Sequence, residues 1–148
     1  MSSHLYNRDI LRLAASLAGQ GRLDRADASA DRRSPTCGSR VIADVSLDDR
    51  GRIGALGLEA RACALGQASA ALVHAHGTGK TAEEMRAAAD ALRVWLAGAE
   101  GEANFWPGVA VFEAARGYPA RHPSILLAFE AVRDAAEAAR AARKGEAA

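Results

Sequence analysis

The chain has 148 residues, of which 49% are hydrophobic and 25% charged, and its formal net charge is +1. This composition predicts one domain over residues 1–148, and the near-neutral charge gives no indication of nucleic-acid binding. No apolar run reaches the roughly 18 residues of a membrane span, and the start MSSHLYNRD lacks the apolar region of a secretory signal, so we expect a cytoplasmic protein.

The first half of the chain predicts a helix followed by strands. Apolar residues recur at helical spacing over residues 5–18, and the polar segment 23–33 weakly indicates an edge strand. Residues 41–47 alternate between apolar and polar, as a half-buried strand does. Turn-forming residues at 48–51 lead into a second strand at 53–62, so these two strands are expected to form an antiparallel hairpin.

The second half predicts helices. Helical spacing runs over residues 64–75, and another helix follows Thr81, whose hydroxyl is expected to form a capping box with Glu84. A short helix is expected at about 109–115, after a loop. The last helix begins near Pro123, because proline is well tolerated in a first helical turn.

These elements together predict an α+β fold. A small antiparallel sheet of about three strands carries helices packed on one face. The tail, residues 138–148, is expected to be a frayed end.

The segment Gly77-Thr78-Gly79-Lys80-Thr81 ends like a phosphate-binding loop. Such a loop needs a glycine five positions before Gly79, where this chain has His74, and it should follow a strand rather than a helix. We therefore interpret the segment as a helix break. His74 and His76 lie two residues apart near a helix end, so they point in different directions and are expected to be surface residues.

The two cysteines, Cys37 and Cys63, flank the predicted hairpin. Antiparallel pairing brings the start of one strand to the end of the next, so the two thiols are expected to approach each other. Cys63 also precedes a helix, where unpaired amides and the helix dipole favour a thiolate. Two converging thiolates would suit a soft metal, but two buried and inert cysteines are an equally good interpretation of this spacing.

Several short segments carry a family resemblance, and they occur in the same order along the chain as in that family. They are YNRDIL (6–11), SPTCG (34–38), AC (62–63) followed by AS (68–69), GTGKT (77–81), YPAR (118–121) and LAFEAV (127–132). Together they resemble the iron–sulfur cluster assembly scaffolds of the IscU, NifU N-terminal and SufU type. The long interval between Cys63 and the last two segments resembles the SufU branch in particular.

The resemblance implies the SufE/NifU-like scaffold fold and a function that is not enzymatic. A scaffold of this type would bind iron or a transient cluster, expected to be of the 2Fe–2S kind, through Cys37 and Cys63. It would receive sulfur as persulfide from a cysteine desulfurase, with the same two cysteines as candidate acceptors, and pass the cluster to apo-proteins.

The chain also departs from the family pattern. Ser39 stands where the family has an aspartate, and Ser124 stands where it has the third cysteine. The chaperone-recognition segment of the IscU type is absent as well. His122 lies two residues before Ser124, and a neutral imidazole binds both zinc and iron. The proposed ligand set is therefore Cys37, Cys63 and His122, although a polar group at a helix start is an equally good interpretation of His122.

Two further functions remain open at this point. One is a SufU-like zinc protein that accepts sulfur from a desulfurase, which would give the chain a sulfurtransferase-like activity. The other is a metal-free interaction protein that retains the fold. The metal, the recipient proteins and the oligomeric state do not follow from the sequence.

Overall fold

The structure, a computed structural model, describes residues 6–35 and 38–147. Its helices and strands follow one another in an α+β order. They are α1 (Arg8–Ser16), β1 (Ala28–Arg33), β2 (Arg40–Leu47), β3 (Ile53–Arg61), α2 (Ala64–His76), α3 (Ala82–Leu96), two 3-10 helices (Val109–Gly117 and Pro119–Arg121) and α4 (His122–Ala147).

The three strands form one antiparallel sheet in the order β1-β2-β3. The predicted hairpin of β2 and β3 is confirmed, and the weakly indicated edge strand is β1. The inner face of β2, formed by Val41, Ala43 and Val45, is fully buried. Helix α4 packs against β1 and β2, and α2 packs against β3 and α4. The α+β prediction with a small antiparallel sheet is therefore confirmed.

The other face of β2 is not solvent-exposed, so the expectation of a half-buried strand was wrong. Asp44, on this outer face, is 1% exposed because the segment after α1 crosses the sheet there. Arg22 donates two hydrogen bonds to its carboxylate, at 3.1 and 2.9 Å, and the Leu23 amide donates a third at 3.0 Å. A Cβ on Gly57 would lie 2.6 Å from the Leu23 nitrogen, so only glycine allows this crossing without displacement.

Helix α3 begins as the sequence predicts. The hydroxyl of Thr81 accepts a hydrogen bond from the Glu84 amide, and the Glu84 carboxylate accepts one from the Thr81 amide, each at 3.0 Å. Helix α2 ends at His76, and the following turn pairs with the start of β3. The Gly79 amide donates to the Ile53 carbonyl, and the Ile53 amide donates to the Lys80 carbonyl. The segment is thus a helix break that closes onto the sheet.

Helix α4 is longer than the sequence suggests, because it continues through Ala147 and not to about residue 137. Tertiary contacts hold its last turns. Ala139 is 2% exposed, and the Arg140 guanidinium pairs with Glu83 at 3.2 Å. Arg143 donates hydrogen bonds to the backbone carbonyls of Leu47, the last residue of β2, and of Asp48 in the following turn. The helix therefore includes residues that were expected to belong to a frayed tail, and contacts hold it as far as Arg143.

The core lies between the inner face of the sheet and helices α2, α3 and α4. Trp106, in the connection after α3, closes one side of it by donating its indole N–H to the Leu72 carbonyl at 3.0 Å. Its ring also packs edge-on against Phe129, with centroids 5.1 Å apart. In the described residues, no helix is both long enough and apolar enough to cross a membrane.

Candidate metal centre

The β1–β2 loop and the end of β3 lie at the same end of the sheet. Arg33 of β1 faces Arg40 of β2 in register, and Arg40 faces Arg61 of β3. The base of the loop is closed by a hydrogen bond of 2.8 Å from the Ser34 amide to the Ser39 carbonyl. Cys37 belongs to this loop but lies outside the described residues, so the predicted approach of the two thiols stays a prediction.

Cys63 is the N-cap residue of α2. Its backbone is extended, with φ −66° and ψ 174°, and its thiol makes no capping hydrogen bond. The residue is half-buried. An N-cap side chain lies next to the first unpaired amides of its helix, at the positive end of the helix dipole. The thiol is available for chemistry rather than committed to holding the helix.

His122 is the first residue of α4, directly after the second 3-10 helix. Its Nε2 lies 2.9 Å from the carbonyl oxygen of Ala115, and the side chain is half-buried. A carbonyl oxygen only accepts, so Nε2 carries the proton in this hydrogen bond. In the neutral imidazole the lone pair then resides on Nδ1. Metal-binding histidines commonly donate their other ring N–H to a backbone carbonyl in this way.

The first turns of α2 and α4 are packed closely together. A Cβ on Gly66 would lie 2.6 Å from the Ala62 Cβ and 3.3 Å from the Ser124 carbonyl oxygen. One turn further on, the Ser69 hydroxyl donates to the Ile125 carbonyl at 2.5 Å. Ser124 is 3% exposed, so it belongs to this helix contact. The contact brings the helix start that carries Cys63 together with the helix start that carries His122.

Among residues 6–35 and 38–147, no group of three His, Cys, Asp or Glu side chains could hold a metal ion. Only two of the three proposed ligands, Cys63 and His122, lie within these ranges. The other two histidines near a helix end, His74 and His76, are in the last turn of α2, where His76 is exposed and His74 half-buried. They are helix-end residues, as the sequence indicates.

Arginines dominate the outer face of the sheet at this end. Arg40 forms a bidentate ion pair with Asp31, at 2.9 and 2.6 Å, and this hydrogen bonding holds the pKa of the Asp31 carboxyl below its ordinary value. Arg33 and Arg61 are exposed, and neither side chain has an ion-pair partner among the described residues. This end of the sheet thus carries exposed positive charge.

Sequence reasoning missed three features of this region. Gly66 gave no signal, because its role depends on the approach of α4, which lies more than 50 residues further along the chain. The Ala115 carbonyl could not be foreseen as a partner of His122 either. The third feature is the row of Arg33, Arg40 and Arg61 on adjacent strands. It could have been found by aligning the predicted strands, since the register of the hairpin places Arg40 opposite Arg61.

Solved structures of several proteins share this fold. A NifU-like protein (N-terminal part) from Brucella abortus is 37% identical, with a TM-score of 0.82 over 94% of this chain and 96% of that one. A SUF-system iron–sulfur cluster assembly scaffold from Fervidobacterium islandicum AW-1 is 22% identical, with a TM-score of 0.82 over 92% and 99%, respectively. A hypothetical protein is 23% identical, with a TM-score of 0.77 over 91% and 98%. The two likenesses at lower identity show the fold alone. No protein-family model and no curated protein match the chain.

Proposed function

We propose a function on the basis of family membership. The chain belongs to the NifU-like iron–sulfur cluster assembly scaffolds. Within that role, the chain binds iron or a transient 2Fe–2S cluster and passes it to apo-proteins. The observation that carries the proposal is the placement of Cys63 as an uncommitted N-cap thiol, next to the sheet end where the Cys37 loop begins. The protein acts as a carrier in this account and not as an enzyme.

The proposed ligand set is Cys37, Cys63 and His122. Thiolates are the ordinary ligands of iron–sulfur clusters, and histidine can replace cysteine on one iron. His122 supports this assignment through its hydrogen bond to Ala115, because that bond leaves the Nδ1 lone pair available. With three protein ligands, one coordination position remains for an outside ligand, such as a thiol of a partner protein.

Ser124 is a poor candidate for the third ligand. Its hydroxyl stays protonated at neutral pH unless a metal or a base activates it. The residue is also 3% exposed and lies in the contact between α2 and α4. Ser124 therefore contributes packing at the place where the family has a thiol.

Sulfur would arrive as the persulfide of a cysteine desulfurase. The thiolate of Cys37 or Cys63 attacks the outer sulfur of that persulfide, and the desulfurase cysteine leaves as a thiolate. An external thiol, such as free cysteine, would then reduce this persulfide. Two thiols are oxidised to a disulfide, the protein thiol is regenerated, and the sulfur leaves as sulfide, which combines with iron.

One observation favours a second candidate function. Two thiolates and one imidazole form a donor set that also suits zinc, with one position left open. A zinc protein of this kind would accept sulfur without building a cluster, as proposed for a SufU-like acceptor. A metal-free interaction protein would have neither iron nor zinc.

The proposal is tested by anaerobic reconstitution and transfer. The protein is incubated with ferrous iron, cysteine and a cysteine desulfurase, and the visible absorption and circular dichroism of a cluster are followed. The loaded protein is then mixed with an apo-ferredoxin. We expect a cluster spectrum that moves to the ferredoxin, and Cys63→Ser should prevent its formation. Persulfide on the protein without any cluster spectrum would instead support the sulfur acceptor.

A further inference from the structure

A groove lies beside Cys63, between α1 and the edge strand β3. Its volume is about 510 Å³, and its lining is mostly apolar. The residues that form its walls and floor include Leu11, Ala14, Ala18, Leu58, Ala60 and Ala64. Leu11 is 52% exposed on the wall of this groove, so its side chain is accessible to a partner. Ala64, the residue after Cys63, is part of the lining, so the groove reaches the start of α2.

Positive charge continues from this groove across the end of the sheet. Arg61 follows Ala60 of the groove, and Arg40 and Arg33 lie opposite it in register on the next two strands. Residues directly opposite in an antiparallel sheet project from the same face, and like charges in that arrangement are destabilising. Asp31 forms its ion pair with Arg40, and its charge also acts on Arg33 without a direct ion pair. Arg33 and Arg61 remain exposed without an ion pair among the described residues.

One carboxylate opposes this charge. Glu59 lies in the groove lining, and its charge contributes to the raised pKa values of Arg22 and Arg40. Arg22 is itself bound to Asp44. The unpaired positive charge therefore sits at the ends of the row, on Arg33 and Arg61, and not within the groove.

We propose that the groove, together with Arg61 and Arg33, docks a segment of a partner protein that carries an apolar side chain followed by carboxylates. The apolar side chain enters the groove beside Leu11, and the carboxylates bind the two guanidinium groups, which recognise carboxylates through bidentate hydrogen bonds. Three strands spaced about 4.8 Å apart place the ends of the row about 10 Å apart, which an extended chain spans in about three residues. The docking surface is inferred from residues outside the proposed ligand set. Only its use in cluster or sulfur transfer rests on the proposed function.

The probe is a fluorescein-labelled peptide, Leu-Glu-Glu-Glu-Glu, titrated with the metal-free protein in low salt. We expect saturable binding that weakens at least fivefold in the double variant Arg33→Ala/Arg61→Ala and in Leu11→Asp. Glu59→Gln should strengthen binding, because it removes the opposing carboxylate. Matched controls are Arg50→Ala, an exposed arginine in the β2–β3 turn, and Val94→Asp, which is 56% exposed on α3.

Three results would overturn the inference. They are equal affinities of the parent and the two groove variants, equal losses in the control variants, and equally tight binding of a peptide with lysine in place of glutamate. A short oligonucleotide that binds more tightly than the peptide, with the same dependence on Arg33 and Arg61, would assign the surface to nucleic acid instead. Metal uptake by the same variants separates the two proposals. Loss of peptide binding with normal metal uptake supports the docking surface, whereas a protein that binds the peptide but no metal contradicts only the proposed function.

Discussion

The Nε2 atom of His122 lies 2.9 Å from the carbonyl oxygen of Ala115. This hydrogen bond orients the ring at the start of α4, and in the neutral imidazole it leaves the lone pair on Nδ1. The third ligand of the proposed site is thus oriented by a residue of the preceding 3-10 helix. The same bond would also be made by a histidine with a purely structural role, and mutation distinguishes the two.

We expect His122→Ala to weaken metal binding at least tenfold, which corresponds to about 1.4 kcal/mol. Ser124→Ala should have little effect, and Ser124→Cys should strengthen binding by restoring a third thiolate. The metal affinities of the three variants are measured by titration, and circular dichroism checks that each variant is folded. If His122→Ala binds like the parent and Ser124→Cys gains nothing, the start of α4 does not coordinate metal.

Cys63→Ser should abolish metal uptake without destabilising the protein. Cys63 makes no capping hydrogen bond, whereas serine is a preferred N-cap residue, so the substitution should add about 0.5–1 kcal/mol to the stability of α2. Urea unfolding and metal titration are measured on the same preparation, with Cys37→Ser as the companion variant. Unfolding of both variants would instead identify the cysteines as buried packing residues.

Gly66→Ala tests the contact between α2 and α4. Alanine normally stabilises a helix by about 1 kcal/mol relative to glycine, but here its Cβ would lie 2.6 Å from the Ala62 Cβ. We expect net destabilisation and weaker metal binding, because the segment before α2 that carries Cys63 must shift away from the new Cβ, and the start of α4 must yield slightly at the Ser124 carbonyl, 3.3 Å away. The matched control is Gly145→Ala in the last turns of α4, where no atom lies within 4 Å of the new Cβ. Thermal unfolding should show opposite shifts for the two variants, and equal shifts would mean that the helices are not in tight contact.

Asp44→Asn should destabilise the protein at neutral pH by about 2 kcal/mol, since it removes the charge from a buried and fully hydrogen-bonded carboxylate. Hydrogen bonding to Arg22 holds the pKa of Asp44 below its ordinary value of 3.8. A carboxyl with a lowered pKa contributes its stability above the unfolded-state pKa and loses it as the pH falls through the folded-state pKa. Urea unfolding between pH 7 and pH 2.5 should therefore show a smaller loss of stability on acidification in Asp44→Asn than in the parent. Parallel curves would remove Asp44 from the acid response.

The parts of the fold that depend on local patterns were predictable from the sequence. The hairpin follows from alternation and a turn, and the start of α3 follows from the spacing of Thr81 and Glu84. The parts that depend on distant segments were not. Asp44 looks like a solvent-facing strand residue until the crossing segment with Arg22 covers it. The end of α4 looks like a polar tail until Arg143 reaches the β2–β3 turn.

The candidate site also combines features that local sequence patterns predict with features that depend on distant segments. The positions of Cys63 at a helix start and of His122 at the start of the last helix follow from capping signals and from the family resemblance. What joins those two helix starts is the approach of Ser124 to Gly66, a contact between residues far apart in the sequence. The sequence pattern within either helix does not predict this contact.

The central claim, that Cys37 and Cys63 hold an iron–sulfur cluster, is tested most directly by the iron, sulfide and zinc content of protein purified without oxygen. The account predicts iron and acid-labile sulfide in equal amounts in the parent, and neither in Cys37→Ser or Cys63→Ser. Purification in air should give mostly metal-free or zinc-containing protein, because a site with two thiolates and one imidazole holds a cluster less firmly than four cysteines do. Anaerobic protein that contains zinc without sulfide, or no metal in any preparation, would contradict the claim.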